Sequence, residues 1–316
     1  MLKFKEVYLN EHFILVGPLE KEANFKKANL YIEDYYYGEK TIEKAEVKMQ
    51  KTVLDALMKS GKPGIVIGGE LSNQLGTTNM NLADRAVPYM GIYSACASSA
   101  QGIIMIANMI SSKAIKDGIF ITSSHNLVAE KQLRFPVEYG APKPIRSTFT
   151  ATGAVGMKLS NKPSKIKIIN GTIGSVVDSG VKDVHNVGAV MGPSAVDTLL
   201  RHLKSSNTTL NDYDLILTGD LGKVGSVIFK KLLKESHKLP IDNHLDAGCM
   251  LYTNHEYSGA SGPAVLPLIF LTKILANKKY KRILYLATGA LYSPLLVYQK
   301  NPLPAITHAV TMEVIS

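Results

Sequence analysis

Short unbroken apolar runs alternate along this chain with longer segments of helical composition. The runs within GIVIGGELSN, YDLILTGDLGKVG, GIFITSSHN (Gly118–Asn126) and RILYLATGALYSP (Arg282–Pro294) each end in small or polar residues. Such runs read as strands buried on both faces, because a half-exposed strand alternates apolar with polar residues. Helical segments fall between them at Thr41–Lys59, Ala97–Lys116, Ser194–Lys204 and Ser226–Lys234. Strand and helix in alternation predict an α/β protein. The longest apolar stretches, GIIMIANMI after Cys96 and GPAVLPLIFLTKILA near Gly262, are too short or are broken by Lys273. A spanning helix needs about 20 apolar residues, so both read as buried core helices and no transmembrane helix is expected.

The pattern also repeats. The strand run ending in Gly68–Leu71 has a counterpart ending in Thr218–Leu221, and setting Gly69 against Gly219 gives a spacing of 150. Gly118–Asn126 matches Arg282–Pro294. The closing strands TATGAVGMKL (Thr150–Leu159) and AITHAVTMEV (Ala305–Val314) match each other, as do the small-residue helix starts SACASSAQG and YSGASGPAV. Four correspondences in one order predict two similar α/β halves packed face to face. The polar stretch Asn161–Lys167 marks the seam, so the expected units are residues 1–163, which carry Cys96, and residues 164–316.

Composition narrows the function classes. The 316 residues are 46% hydrophobic and 20% charged, the balance of a soluble globular protein with an ample core. No charged-then-apolar leader opens the chain, so no signal peptide is expected. Cys96 and Cys249 lie too far apart for a metal motif or a disulfide framework, and both are expected reduced. The net charge of +10 implies either an anionic partner or a solvated surface with a basic bias. Nucleic acid is disfavoured, because the lysines are dispersed and no basic helix or basic-aromatic module is present. An anionic membrane surface or an anionic small ligand remains.

Cys96 is the residue most suggestive of chemistry. An extended stretch, Val87–Ser94, runs into it and an apolar, small-residue helix follows. A thiol on the free N–H groups of a helix N-terminus is expected to have a lowered pKa, the usual setting of a nucleophilic cysteine. An inert core cysteine is the competing reading. A second cluster lies in HNLVAEKQLRFPVEYGAPKPIR, where His125, Lys131, Arg134, Lys143 and Arg146 stand against Glu130 and Glu138. It follows a strand end, where α/β folds place ligands. A planar dicarboxylate would find a bidentate fork in Arg134 and a stacking face in Phe135 or Tyr139. A surface loop held by pairs such as Glu130 with Arg134 explains the same residues.

The duplicated halves with a cysteine at a helix start resemble the thiolase-like superfamily, which includes thiolases and ketoacyl synthases. Within it, the segments Thr122–Pro144, TATGAVGM, DYDLILTGDLGKVGS, YSGASG and ATGALYSP are similar to the stage V sporulation protein AD family of endospore-forming bacteria. The similarity runs from about Pro63 to His308. It implies a layered αβαβα architecture.

The resemblance also implies what a condensing enzyme would need here, namely two second-half residues that stabilise charge and manage protons beside the cysteine. One would follow the strand DLILT, where Gly219-Asp220 stands. The other would open YSGASG, where Ser258-Gly259 stands. Gly219 and Gly259 therefore look like lost catalytic positions, and Cys96 like a vestigial nucleophile. His308, where the repeat places Gly153 or Ala154, is not a catalytic position of the family.

The family implies instead a non-catalytic protein that binds dipicolinic acid (pyridine-2,6-dicarboxylate) and acts with other SpoVA proteins in its uptake into the developing spore. The expected ligand-binding residues are Cys96, Ser98, His125, Arg134, Lys143 and Asp220, with His185 and Asp178 bordering the pocket. No resident cofactor or metal is expected, since no carboxylates cluster as a calcium site; calcium is a candidate companion of the ligand. The expected place is intracellular in the sporulating cell, peripheral at the spore inner membrane. A homodimer through Val87–Tyr93 is a further expectation. Two alternatives stay open: an acyltransferase using Cys96, and a structural scaffold of the membrane complex.

Overall fold

Strands buried along their whole length need cover on both faces. Every residue of strands Gly153–Ser160 and Leu215–Thr218 is buried. The computed structural model, which describes residues 1–22, 27–133, 142–252 and 256–315, supplies that cover. Thirteen strands form one sheet, and two short strands, Thr148–Thr150 and Gly259–Ser261, pair separately. Its main path runs His244–Asp246, Leu215–Thr218, Arg282–Ala290, Pro304–Val314, Ile166–Thr172, Tyr8–Val16, Gly153–Ser160, Asp117–Ser124, Val66–Gly68, Tyr89–Gly91.

This order is a palindrome about its middle. In the first half, Val66–Gly68 pairs in parallel with Tyr89–Gly91 and Asp117–Ser124, and the next two pairings, through Gly153–Ser160 to Tyr8–Val16, are antiparallel. In the second half, Leu215–Thr218 pairs in parallel with His244–Asp246 and Arg282–Ala290, and the pairings through Pro304–Val314 to Ile166–Thr172 are antiparallel. The two runs meet where Tyr8 and Leu9 pair with Lys167 and Ile166. Gly69 and Gly219 each follow the equivalent strand directly. The registers set His308 level with Val155, one residue past the position the repeat suggested. His308 lies opposite Ala287 as Val155 lies opposite Thr122, and Arg282 opposite Glu313 as Asp117 opposite Ser160.

Strand alternation sorts the apolar residues into three cores. Ile67, Phe120, Leu217, Tyr285 and Val310 point into a central core shared by both halves. Ile119 and Ile121 turn outward onto helix Ile42–Leu57, with Met49, Val53 and Leu54. Ile216, Leu284 and Leu286 turn outward onto helices Val187–Ser206 and Gly222–His237. The layers are therefore helix, half-sheet, central helices, half-sheet, helix: a mixed α/β architecture of the layered αβαβα kind. The central layer includes helix Ser98–Ser111, which packs on strands of both halves. Its approach is close at Gly102, where an added Cβ would stand 2.2 Å from the Phe120 ring. No helix among the described residues is long and apolar enough to cross a membrane.

Several boundaries differ from the sequence reading, each for a local reason. The helix expected at Ser194–Lys204 spans Val187–Ser206, because Asn186 caps it and Pro193 is accommodated within its early turns. The helix expected at Ala97–Lys116 is Ser98–Ser111, preceded by a tight turn Ala95–Ala97. The extended stretch before Cys96 pairs only over Tyr89–Gly91. YSGASG opens no helix: Gly259–Ser261 is a strand paired in parallel with Thr148–Thr150, and the helix begins at Val265.

Between helix Ile42–Leu57 and the first half-sheet lies a buried polar chain. Ser123 Oγ donates to Glu46 Oε1 (2.8 Å) and accepts from Gln50 Nε2 (3.0 Å). Thr78 joins Gln50 to Glu70, whose carboxylate also takes the Thr78 N–H and the Ser72 hydroxyl. Burial pushes the Glu46 carboxyl up to about 8; the Ser123 bond opposes the shift and the Glu70 charge adds to it. An acid whose pKa rises on folding contributes stability below its unfolded value, here 4.5, and loses it as pH climbs through about 8. Glu46→Gln is expected to raise the thermal midpoint at pH 9 and to leave it little changed at pH 4.5. Melts across that range check this, and a pH-independent difference would contradict it.

Candidate functional site

The chain makes a tight turn at Ala95–Ala97 before entering helix Ser98–Ser111, and Cys96 lies in that turn. Ala95 takes a left-handed conformation (φ 49°), uncommon for a residue with a side chain. Ser98 tightens the turn, its hydroxyl donating to the Ala95 carbonyl at 2.7 Å. The cysteine is thus fixed at the end of the central layer, at the C-terminal ends of the parallel strands, where α/β sheets place ligands.

The second half supplies what stands opposite. Strand Leu215–Thr218 ends in a loop held from below by Asp246. Asp246 Oδ2 accepts from Thr218 Oγ1 (2.7 Å) and the Leu221 N–H (3.0 Å), and Oδ1 accepts from the Gly222 N–H (2.9 Å) and the Cys249 N–H (3.1 Å). Burial nevertheless pushes Asp246 up to about 6. The loop turns Asp220 inward, where its Oδ2 accepts the Gly262 N–H at 3.1 Å. Its Oδ1 has no conventional hydrogen-bond partner. The Cys96 thiol lies against this carboxyl.

This arrangement overturns the expected thiolate. Burial pushes the Cys96 thiol well above its usual range, and the neighbouring Asp220 charge and contact push the same way; the N–H groups of Gly262 and Cys96 oppose. Asp220 is raised too, first by burial and then by the Asp246 charge, with the Cys96 contact and the Gly262 N–H opposing. A helix terminus contributes about 0.3–1 kcal/mol, under one pKa unit, in exposed settings. Removing a charge from water costs several kcal/mol, so desolvation wins. Both shifts favour the protonated forms, and each group opposes ionisation of the other.

Cys96 also lines a cavity that opens to solvent. Leu71, Ala129, Leu133, Val187 and Met191 make much of its wall apolar. Polar groups reach it from Ser147, Thr148, Thr150, Ser261, Tyr93, Tyr292, His185 and the Glu130–Lys143 ion pair. The Lys143 ammonium stands 5.5 Å from the centre of the Phe149 ring. The Ser147 hydroxyl is buried and has no hydrogen-bond partner among the described residues, so it is available to a ligand.

The expected residues divide accordingly. Cys96 and Lys143 line the cavity, with Asp220 immediately behind the thiol. His185 is in the wall, whereas Asp178 is exposed and its carboxylate caps the Gly180 N–H. Ser98 does not line the cavity, being fully buried with its hydroxyl committed to Ala95. His125 also fails to reach it: Nε2 donates to the Tyr35 carbonyl (2.7 Å), the ring packs edge-on to Tyr35, and burial lowers its pKa. Lys131 pairs with Glu43 and Arg146 with Asp183 at the surface. Arg134, Phe135, Glu138 and Tyr139 lie outside the described residues.

Gly259 is more than a missing side chain. Its φ of +147° and a Cβ position 2.8 Å from the Gly248 carbonyl oxygen leave room for glycine alone. His308 is a core residue whose Nδ1 accepts the Gly174 N–H (3.1 Å), and burial lowers it to about 4. Among the described residues, no three His, Cys, Asp or Glu side chains are grouped to hold a metal ion. Ser147 and Asp246 escaped the sequence reading. Asp246 had a legible signal, an aspartate directly before the small helix Ala247–Leu251 that it caps.

Comparison with known proteins agrees with this geometry. The family model described as stage V sporulation protein AD (SpoVAD) matches residues 2–313. Stage V sporulation protein AD of Bacillus subtilis (strain 168) is 35% identical over 329 residues, covering 98% of this chain and 97% of its own. The chain belongs to the stage V sporulation protein AD family. Among solved structures, a variant of Xanthomonas campestris OleA superposes with a TM-score of 0.65 at 14% identity, over 99% of this chain and 100% of the other. The 3-oxoacyl-[acyl-carrier-protein] synthase III from Aquifex aeolicus VF5 gives 0.55 at 14% identity over 99% of each chain. These likenesses establish the thiolase-like fold.

Reactivity of the thiol follows from its setting. Alkylation of Cys96 by iodoacetamide at pH 7.5 is expected to be slow beside that of a free thiol. Asp220→Asn removes the opposing charge while keeping the side chain's shape, so it is expected to accelerate alkylation about tenfold and move its pH profile downward, the equivalent of one pKa unit. Mass spectrometry of the Cys96 peptide reads both. An unchanged profile in Asp220→Asn would show that the two groups are uncoupled.

Proposed function

We propose that this member of the stage V sporulation protein AD family binds dipicolinate in the cavity beside Cys96 and performs no chemistry on it. Family membership gives the chain a role in sporulation within the SpoVA system. The observation that carries the binding reading is the Cys96–Asp220 contact at the cavity floor. It favours a protonated thiol, and glycines stand at 219 and 259, where proton-managing side chains would be needed. A condensing enzyme requires the opposite, a thiolate with a positioned base.

The cavity chemistry suits a flat aromatic acid. Apolar walls accept the ring, and the Lys143 ammonium and the unpartnered Ser147 hydroxyl offer donors to carboxylate oxygens. The upward shift of Asp220 weakens the repulsion it would offer an anionic ligand. Calcium would enter as cargo chelated by the ligand's own oxygens and ring nitrogen. Uptake into the spore then needs membrane partners of the SpoVA system. The protein's own place in this reading is peripheral, at an anionic membrane surface on the intracellular side.

A second reading, acyl transfer through Cys96, is favoured by one observation: the thiol lines the cavity and is reachable from it. The two readings separate in two measurements. Calorimetry is expected to show saturable dipicolinate binding, weakened roughly tenfold or more by Lys143→Ala, the scale of one lost charge-assisted hydrogen bond. Absence of saturable heat would overturn the ligand assignment, and unchanged affinity in Lys143→Ala would overturn the site. Incubation with acyl-CoA is expected to leave the mass of Cys96 unaltered; a stable adduct with turnover would establish the enzyme instead.

A further inference from the structure

Lysines that are dispersed in the sequence gather at one end of the molecule. The cavity lies at the C-terminal ends of the parallel strands. At the opposite end run three connections: the turn after helix Ser98–Ser111, the 161–165 link between the halves, and the loop entering strand Arg282–Ala290. Backbone hydrogen bonds stitch them together. The Asn161 N–H donates to the Lys116 carbonyl (3.3 Å), the Ile315 N–H to that of Lys165 (2.8 Å), and the Val314 N–H to that of Lys281 (2.8 Å). Lys113, Lys116, Lys162, Lys165, Lys279 and Lys281 are all exposed on this surface.

Several acids nearby are already engaged, although exposed Asp242, in a surface cleft with Asp214 and Lys279, is engaged by none of the described residues. Glu11 and Asp117 both face Lys158 at 3.7 Å, Glu313 pairs with Arg282 at 2.6 Å, and Asp214 accepts the N–H groups of Lys281 and Arg282. None of the six ammonium groups has an ion-pair partner among the described residues. Around the cavity the balance differs, because Lys143, Lys131 and Arg146 are each paired with an acid.

We propose that this lysine-rich end docks on an anionic lipid bilayer, so that the cavity mouth faces away from the membrane. The inference rests on the peripheral membrane location proposed above and adds the face and the orientation. The chemistry favours a bilayer over nucleic acid. Six hydrated point charges spread across three loops match a plane of lipid phosphates, to which each lysine adds attraction within a Debye length, about 10 Å at 0.1 M salt. Nucleic-acid sites lean on arginine forks and stacking aromatics, and Arg282, the arginine at this end, is committed to Glu313.

The test is co-sedimentation of the full chain with vesicles of phosphatidylcholine alone or with phosphatidylglycerol. Two variants carry the same change of net charge: K162E/K165E/K279E/K281E on the proposed face, and K40E/K44E/K182E/K300E at the opposite end, with circular dichroism confirming that each is folded. Binding is expected only with phosphatidylglycerol and to be reversed by 0.5 M salt. It should fall at least tenfold in the first variant and less than threefold in the second. Failure of the unaltered protein to bind would overturn the membrane location itself. Equal losses in the two variants would overturn the face alone. Tighter binding to duplex DNA or RNA than to vesicles at matched salt would assign the patch to nucleic acid. Where the first variant does not fold, salt release combined with chemical footprinting of Lys162, Lys165, Lys279 and Lys281 on vesicles decides the face.

Discussion

Helix Ser98–Ser111 has a half-sheet on each side, and the rest of the architecture depends on that double cover. A helix so enclosed cannot keep a polar face, and Ile103, Ile104, Ile106, Ala107 and Ile110 are all buried. It must also come close to its neighbours, hence Gly102 against Phe120 and the Ser99 hydroxyl bonded to Tyr285 at 2.8 Å. Because the helix is locked to strands of both halves, its first turn is fixed relative to loops of the second half. Cys96, in that turn, therefore meets Asp220 from a loop more than a hundred residues away in the chain. Few residues at this seam are independent of one another.

Two effects compete for the thiol, and their magnitudes decide the outcome. The helix terminus favours a thiolate, but it acts as roughly half an elementary charge at the end of one helix. Enclosure by both half-sheets removes the water that would solvate the anion, and Asp220 adds a like-charge neighbour. Enclosure also raises the carboxyl, so both shifts favour the proton-bearing forms. The geometry that makes a nucleophile elsewhere is retained, and its electrostatics are reversed first by burial and then by one side chain from the other half.

Much of this was legible in the sequence. Doubly buried strands announce themselves as unbroken apolar runs, so Leu215–Thr218 and Asp117–Ser124 could be read directly. The match of Gly69 with Gly219 survived because both follow equivalent strands. The strand Tyr8–Val16, which joins the halves, was not legible: Glu11 and His12, both exposed, interrupt its apolar run. Ser98 and His125 were misplaced because proximity in sequence to a strand end says nothing of which way a side chain turns. Ser98 is consumed by its own turn, and His125 points back to Tyr35. The thiol's state was out of reach for a different reason. It depends on Asp220, and a contact between halves leaves no local pattern.

The dispersion of lysines misled in the same way. Lys116 follows the central helix, Lys162 and Lys165 lie in the link between the halves, and Lys279 and Lys281 lie in the basic run Lys278–Arg282, so no single window of the sequence holds them all. A sheet whose order mirrors about its centre brings the corresponding connections of both halves to the same end, so charges far apart in sequence become neighbours. The parallel strands of each half also start at that end and finish at the other, where their loops build the cavity. One topological fact, the shared direction of Val66–Gly68, Asp117–Ser124, Leu215–Thr218 and Arg282–Ala290, thus separates the apolar cavity from the basic surface by the full length of the strands. Under the proposed function, ligand recognition at one end and surface attachment at the other would change independently, being separated by the length of the strands.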